Sequence, residues 1–437
     1  MGSPSRPDQL LIALEPEVAA VYCRRLKRHQ LLPSSSSSSS SRPPPHLQED
    51  PAPPPPSPDL DRDTVYAVVD CGGGTVDITV HQMTDRTSGH LKELHKATGG
   101  PHGSTGVDEE FERLLERIFG AEFFTTFRRE RPAAYVDLMI AFEARKRNAS
   151  PWRNSPLNIA LPFAFIDLFR RLKGKDVEWA VRKHQDAGVR WSSQGMLRLE
   201  PGTMKQLFVP TLGHISQAIE AVLASPQVRH LQYMFLVGGF AESELLQKHI
   251  RDAFSRRARV IVPQGTSLAI LRGAVQFGLD PGVVSVRRSR LTYGVGVLNR
   301  FDPSLHPEVK RVTSSGVAWC ADVMDGFVVV DESVAVGDVV ERSYTPATPQ
   351  QRTVILHLYA STRHDVQFVT EPGVERVGTL HLDLGPPPPP PPPHSTTPPH
   401  KREISVHMKF GDTEVKATAV DHLTQRCVRA DIDFLTL

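Results

Sequence analysis

The chain has 437 residues, enough for two or three domains even with its low-complexity stretches set aside. Lys plus Arg number 51 against 49 for Asp plus Glu, so no field of one sign argues for nucleic acid or an anionic membrane as a partner. The four cysteines, Cys23, Cys71, Cys320 and Cys427, lie far apart without zinc-ligand or Cys-x-x-Cys spacing, which fits a reducing compartment, cytosol or nucleus. No apolar run reaches membrane-spanning length, MGSPSRPDQ lacks a signal h-region, and Arg6 stands where a myristoylation motif needs Ser or Thr.

In chain order, Leu10 to Leu14 reads as a short strand. Glu15-Pro16 breaks it, and a helix from about Pro16 carries Val18, Val21, Tyr22 and Leu26 on one face. Glu15 thus stands at a strand end beside a helix N-terminus, where a carboxylate can orient a metal or a water; an ordinary helix-start acid is the plainer reading. So abrupt a beginning suggests a fragment or truncated product. Pro33 to Asp59, with eight successive serines and two proline runs, cannot bury apolar surface and reads as a disordered insertion, a candidate ligand for SH3 or WW modules.

Thr64 to Met83, TVYAVVDCGGGTVDITVHQM, is strand, glycine turn, strand. A dinucleotide or P-loop fingerprint would continue into a helix, and this one does not. Gly72, Gly73 and Gly74 let backbone N–H groups approach an anion closely, while Asp70 and Asp77 flank them with carboxylates suited to water-mediated Mg²⁺. Taken alone, the turn reads equally as a hairpin with a glycine bulge. Leu91 to Thr98 follows as a strand, then a second glycine cluster at Gly99, Gly100, Gly103 and Gly106, then a helix from Val107 with Asp108 near its first turn.

Arg131 to Arg147 reads as a helix ending in Glu143, Arg145, Lys146 and Arg147, a charge run that by itself suits a solvated terminus. Ile159 to Phe169 reads as strands, and Trp191 to Leu199 leads into a helix around Met204 to Leu223. Leu231 to Val237 is a buried-strand pattern ending in Gly238-Gly239 before a helix, an arrangement that lets a ligand lie against backbone but is common to many α/β folds. Arg259 to Pro263 is a further short strand, and Ser267 to Leu279 a helix with Gly273 placed for close packing. From about Val284 helical periods vanish and short alternating runs follow one another, a β-sandwich pattern interrupted by the proline run Pro386 to Pro393.

Together ALEPEVAAVYC, VVDCGGGTVDITVHQ, FEARKR, FLVGGFAES, LRGAVQFGL, RLTYGVGVLNRF and FGDTEVKATAVD, in that order, resemble the 70-kilodalton heat-shock protein family, and within it the atypical twelfth subfamily. The resemblance implies an α/β actin-like (ribonuclease-H-like) ATPase domain, incomplete at its N-terminus, followed by a β-sandwich substrate-binding-like domain. On that pattern residues 1–32 are part of lobe I, 33–59 an insertion, 60–283 the rest of the ATPase, and 284–437 the sandwich with a proline-rich loop at 385–400.

The resemblance also implies ATP or ADP with Mg²⁺ as ligand. Glu15 then orients Mg²⁺ and the attacking water. Asp70 and Asp77 stand by the hydrated metal, and Gly72, Gly73, Gly74 and Thr75 meet the phosphates. Glu143, Lys146 and Arg147 match the nucleoside-binding helix, Gly238 and Gly239 the adenosine side, and Asp108 a weaker position. The family's first phosphate hairpin and catalytic lysine have no counterpart in the sequence, Phe240-Ala241-Glu242 replaces a stacking cation, and Ser267 stands where an acid is common. Because phosphoryl transfer needs donors and metal on both sides of the γ-phosphate, weak or absent ATPase activity is expected, with chaperone-like binding of protein segments by the sandwich. A nucleotide-independent interaction protein is the alternative; a sugar-kinase-like enzyme shares the ATPase plan but not the β-rich C-terminus.

Overall fold

A computed structural model of the protein describes residues 11–26, 62–84, 89–192, 194–314, 316–348, 350–386, 402–410 and 414–433. The Ser/Pro-rich segment 33–59, the proline run from 387 and Leu10 lie outside the described residues. The chain divides into two compact units, one of residues 13–89 and 97–280, the other of 1–12, 90–96 and 281–437.

The larger unit begins with α1 (Glu15–Cys23), β1 (Val65–Cys71), β2 (Val76–Met83) and the last residues of β3 (Leu91–Gly100), of which 91–96 belong to the other unit. Then come α2 (Thr105–Phe119), α3 (Ala121–Glu130), α4 (Pro132–Arg147), β4 (Leu157–Ala160), α5 (Phe163–Lys173), α6 (Val177–His184), β5 (Val189–Ser192) and β6 (Met196–Leu199). α7 (Pro201–Gln206), α8 (Val209–Leu223), β7 (Leu231–Val237), α9 (Glu244–Phe254), β8 (Arg259–Ile261) and α10 (Ala269–Leu279) complete it. Its sheet runs β3-β2-β1-β7-β8, with β2 antiparallel to β1 and β7 parallel to it. Every residue of β1 is buried, so both faces of this central strand are covered, which is why Val65 to Val69 reads as a continuous apolar run rather than an alternating one. α1 lies against α10 so closely that a Cβ on Gly273 would stand 1.8 Å from the Val18 carbonyl oxygen, the small-residue contact expected from the sequence.

Three local expectations are corrected. Leu11 to Leu14 is not a strand: the Leu14 carbonyl accepts from Val18 N–H at 3.0 Å as part of the first helical turn, and Leu11 and Ile12 are exposed. Ile159 to Phe169 is not all strand: β4 ends at Ala160, and α5 starts after Pro162 because Phe165, Leu168 and Phe169 recur at helical spacing on its buried side. The helix expected around Met204 to Leu223 is two, α7 and α8, and a β5–β6 hairpin precedes them. Pro210 near the start of α8 has no N–H with which to continue a helix from α7.

The other unit holds β9 (Val284–Arg288), β10 (Thr292–Arg300), β11 (Arg311–Ser314), β12 (Val317–Val328), β13 (Ser333–Ala335), β14 (Val339–Tyr344), β15 (Thr353–Ser361) and β16 (Val374–Asp383). β17 (Ile404–Lys409), β18 (Glu414–Asp421) and β19 (Cys427–Asp433) follow. Two antiparallel sheets, β11-β12-β10-β15-β16 and β14-β17-β18-β19, share one buried cluster that takes Tyr293, Leu358 and Leu380 from the first and Val406, Met408 and Ala417 from the second. At its border Arg402 and fully buried Asp421 form an ion pair, and Thr424 donates to the same carboxylate. Burial alone would raise the Asp421 carboxyl, but these donors and the Leu423 N–H hold it down at about 2.

Candidate functional site

The site is built where the β1–β2 hairpin turns. Asp70, the next-to-last residue of β1, is 4% exposed, and its Oδ1 has no hydrogen-bond partner. Burial pushes its carboxyl up to about 7, and the nearby carboxylates of Glu15 and Asp77 add to the shift. An unpartnered buried carboxylate oxygen is a costly feature, of the kind that an unfilled ligand or cation position accounts for. Glu15 is exposed at the start of α1, and Asp77 is half-buried opposite Asp70 in the β1–β2 ladder.

The second glycine cluster locks onto the first. Gly103, Ser104 and Thr105 donate successive backbone N–H groups to the carbonyls of Gly74 (3.1 Å), Gly72 (3.1 Å) and Gly73 (2.9 Å). With those carbonyls held on one side and Gly72 N–H closed onto Thr75 O at 2.9 Å, the N–H groups of Gly73 and Gly74 find no acceptor among the described residues. Gly73, Gly74 and Thr75 are exposed. Two free N–H groups on an exposed turn, with the N-terminus of α2 bonded to its back, suit an anion. The close approach requires glycine at Gly103, where a Cβ would meet Gly73 O at 2.3 Å, and at Gly99, where it would meet Val76 O at 1.8 Å.

Gly238 closes the other side. It follows β7 with φ +87, a Cβ there would strike Asp70 Oδ1, and its N–H donates to Thr266 O at 3.3 Å. Gly239 has open space where a Cβ would stand. Phe240–Glu242 form a single 3-10 turn, with Phe240 buried against Phe208. Thr266, buried with an unpartnered Oγ1, borders Gly238; the sequence reading missed it, and the Gly265-Thr266 pair after a short strand is the signal that could have found it.

The charged end of α4 is not a solvated terminus throughout. Lys146 is 5% exposed, and its Nζ lies 2.8 Å from both Asp108 oxygens, 2.7 Å from Glu143 Oε2 and 3.2 Å from Ser104 O. It thereby ties α4 to the second turn, and the Ser104 carbonyl in that contact was not singled out from sequence. Burial raises the Asp108 carboxyl, the Lys146 contacts opposing it; burial would likewise raise Glu143, but its bonds from Lys146 and Arg147 hold it down. Arg147 is exposed and donates to Glu143 at 2.8 Å.

Asp70, Asp77, Gly72 to Thr75, Gly238 and Lys146 are thus linked by contacts or by their influence on Asp70, with Glu15 near enough to Asp70 to act on it. Arg147 and Gly239 are exposed and touch neither Asp70 nor the Gly72–Gly74 turn directly. Among the described residues no three Asp, Glu, His or Cys side chains are arranged to hold a metal ion directly. The free N–H groups, the orphaned Asp70 oxygen and the open space at Gly73, Gly74 and Gly239 fit a hydrated magnesium phosphate.

No family model matches the chain. It is 48% identical over 457 aligned residues to heat shock 70 kDa protein 12A of Mus musculus, a match spanning 100% of this chain and 67% of that protein. The Homo sapiens protein of the same name matches equally well, and Homo sapiens heat shock 70 kDa protein 12B is 50% identical over 453 residues, 98% of this chain and 66% of that protein. A mixed α/β unit with a glycine-turn hairpin at its sheet, and identity at this level along the whole chain, make the protein a member of the heat-shock 70-kilodalton family, in its twelfth subfamily.

Proposed function

We propose that the chain binds ATP or ADP with Mg²⁺ on the Gly72–Gly74 turn, turns it over little by itself, and engages protein segments through its two-sheet unit in a chaperone-like way. The observation that carries the nucleotide reading is the orphaned, buried Asp70 oxygen beside two free turn N–H groups. When bound, magnesium would supply charge neutralisation for the phosphates. Gly73 and Gly74 would donate to phosphate oxygens, and Asp70, Asp77 and Glu15 would hold the metal's waters. Gly238 and Gly239 would lie along the nucleoside. Lys146, already occupied by Asp108 and Glu143, would act by holding the second turn against the first.

Among the described residues one glycine turn of this kind occurs, so donors reach the phosphates from one side and weak binding with little hydrolysis is the expectation. The protein-binding part of the reading rests on family membership and on the antiparallel sheets with their common cluster. Titrating Mg-ATP into the purified chain by calorimetry tests the nucleotide reading. Weak, magnesium-dependent heat that disappears in Asp70→Ala supports it; no heat, or equal heat from Asp70→Ala, overturns it.

A further inference from the structure

At the end of β7 remote from Gly238 the larger unit carries an open groove of about 680 Å³. Its apolar lining comes from Leu223 at the end of α8 and from Val228 and Leu231, the latter opening β7. Arg229 and Arg257 line it as well, against one carboxylate, Glu220. Arg256 and Arg259 flank Arg257 in sequence, and all four arginines are exposed and have no carboxylate partner among the described residues. Elsewhere on the surface Arg113, Arg128, Arg147, Arg170 and Arg182 are ion-paired, while Arg117, Arg145 and Arg376 have no carboxylate partner among the described residues. The groove differs in that its unpaired arginines stand together beside an apolar lining.

We propose that this groove is a docking site for an acidic segment of a partner protein carrying an apolar side chain between carboxylates. Four unpaired guanidinium groups at one end of a unit are matched by carboxylates, which they grip through paired N–H donors. The apolar lining answers an apolar anchor, and a volume of this size takes side chains rather than a whole domain. Nucleic acid is the weaker match, because no aromatic residue lines the groove to stack a base. The site does not depend on the nucleotide reading, since it shares no residue with the Gly72–Gly74 turn.

The test is fluorescence polarisation of the purified chain with a short fluorescein-labelled peptide of alternating glutamate and leucine. Expected are saturable binding that weakens with salt, a loss of about tenfold or more in Arg229→Glu and in Arg257→Glu, and no binding of the lysine-leucine counterpart. Circular dichroism melts check that both variants, which alter exposed side chains, remain folded. Unchanged affinity in the folded variants overturns the proposal, as does equal binding of an all-glutamate peptide or displacement by a single-stranded oligonucleotide. Self-association of the chain that Arg229→Glu abolishes, without peptide binding, assigns the groove to a second copy instead.

Discussion

A Cβ placed on Gly238 would stand 2.4 Å from the Asp70 carboxylate oxygen Oδ1 and 2.4 Å from the Cys71 carbonyl oxygen. The contact joins the end of β7 to the end of β1, and the glycine's φ of +87 adds a second reason why no larger residue fits.

Gly238→Ala should therefore destabilise the larger unit by about 2 kcal/mol and displace Asp70 from the turn. Urea unfolding reads the first effect, and loss of any Mg-nucleotide heat in calorimetry reads the second. An unchanged unfolding midpoint would show that the neighbours yield without penalty.

Asp70 has a folded value of about 7 against an unfolded 3.8. Below about pH 4 both states hold the proton. As pH rises toward 7 the unfolded chain ionises first, so stability falls across that window and is level above it. Asp70→Asn should match the parent near pH 4 and exceed it at pH 8 by about 1–3 kcal/mol. Chemical denaturation at the two pH values checks this, and a variant less stable than the parent at pH 8 would show that the carboxylate is not the strained group.

Lys146→Met should leave Asp108 and Glu143 facing each other without their cation and free the Ser104 carbonyl. The expected loss is about 2–3 kcal/mol, less than for a fully buried pair because both acids keep some exposure. Adding Asp108→Asn to Lys146→Met should recover part of it. If the double variant is no better than the single one, the loss comes from packing and not from charge.

In the β-rich unit Asp421→Asn should strand the buried Arg402 and destabilise by about 3 kcal/mol at neutral pH. The Asp421 carboxyl lies below its unfolded value of 3.8, so it stabilises the fold above that pH and loses the effect as pH falls toward 2. The gap between parent and variant should accordingly narrow from about pH 4 downward, which an acid titration followed by circular dichroism would reveal. A gap constant with pH would assign the loss to shape alone.

The elements most legible in the sequence were those whose burial is two-sided or strongly periodic. β1 reads as an unbroken apolar run because side chains on both of its faces are buried, and α2 shows its core residues at helical spacing. Leu11 to Leu14 misled because an apolar run carries no mark of whether a partner strand is available. The start of α5 misled because Phe163 to Phe169 is as apolar as a strand, and its buried face emerges only against Phe119, Phe123 and Phe127.

By itself the sequence determined the local chemistry of the site: three glycines between two aspartates, a Glu-Pro helix start and a glycine pair after a buried strand. Gly72–Gly74 lead directly into a strand and not a helix, and only the tertiary structure brings the start of α2 to that turn, through three backbone hydrogen bonds from a segment about thirty residues away. Tertiary structure likewise decided that Asp70 is buried and unpartnered and that Lys146 is an internal tie. The reason is physical: residue type sets which groups can donate, accept or ionise, whereas desolvation and hydrogen-bond partners depend on which distant segments the fold packs against them.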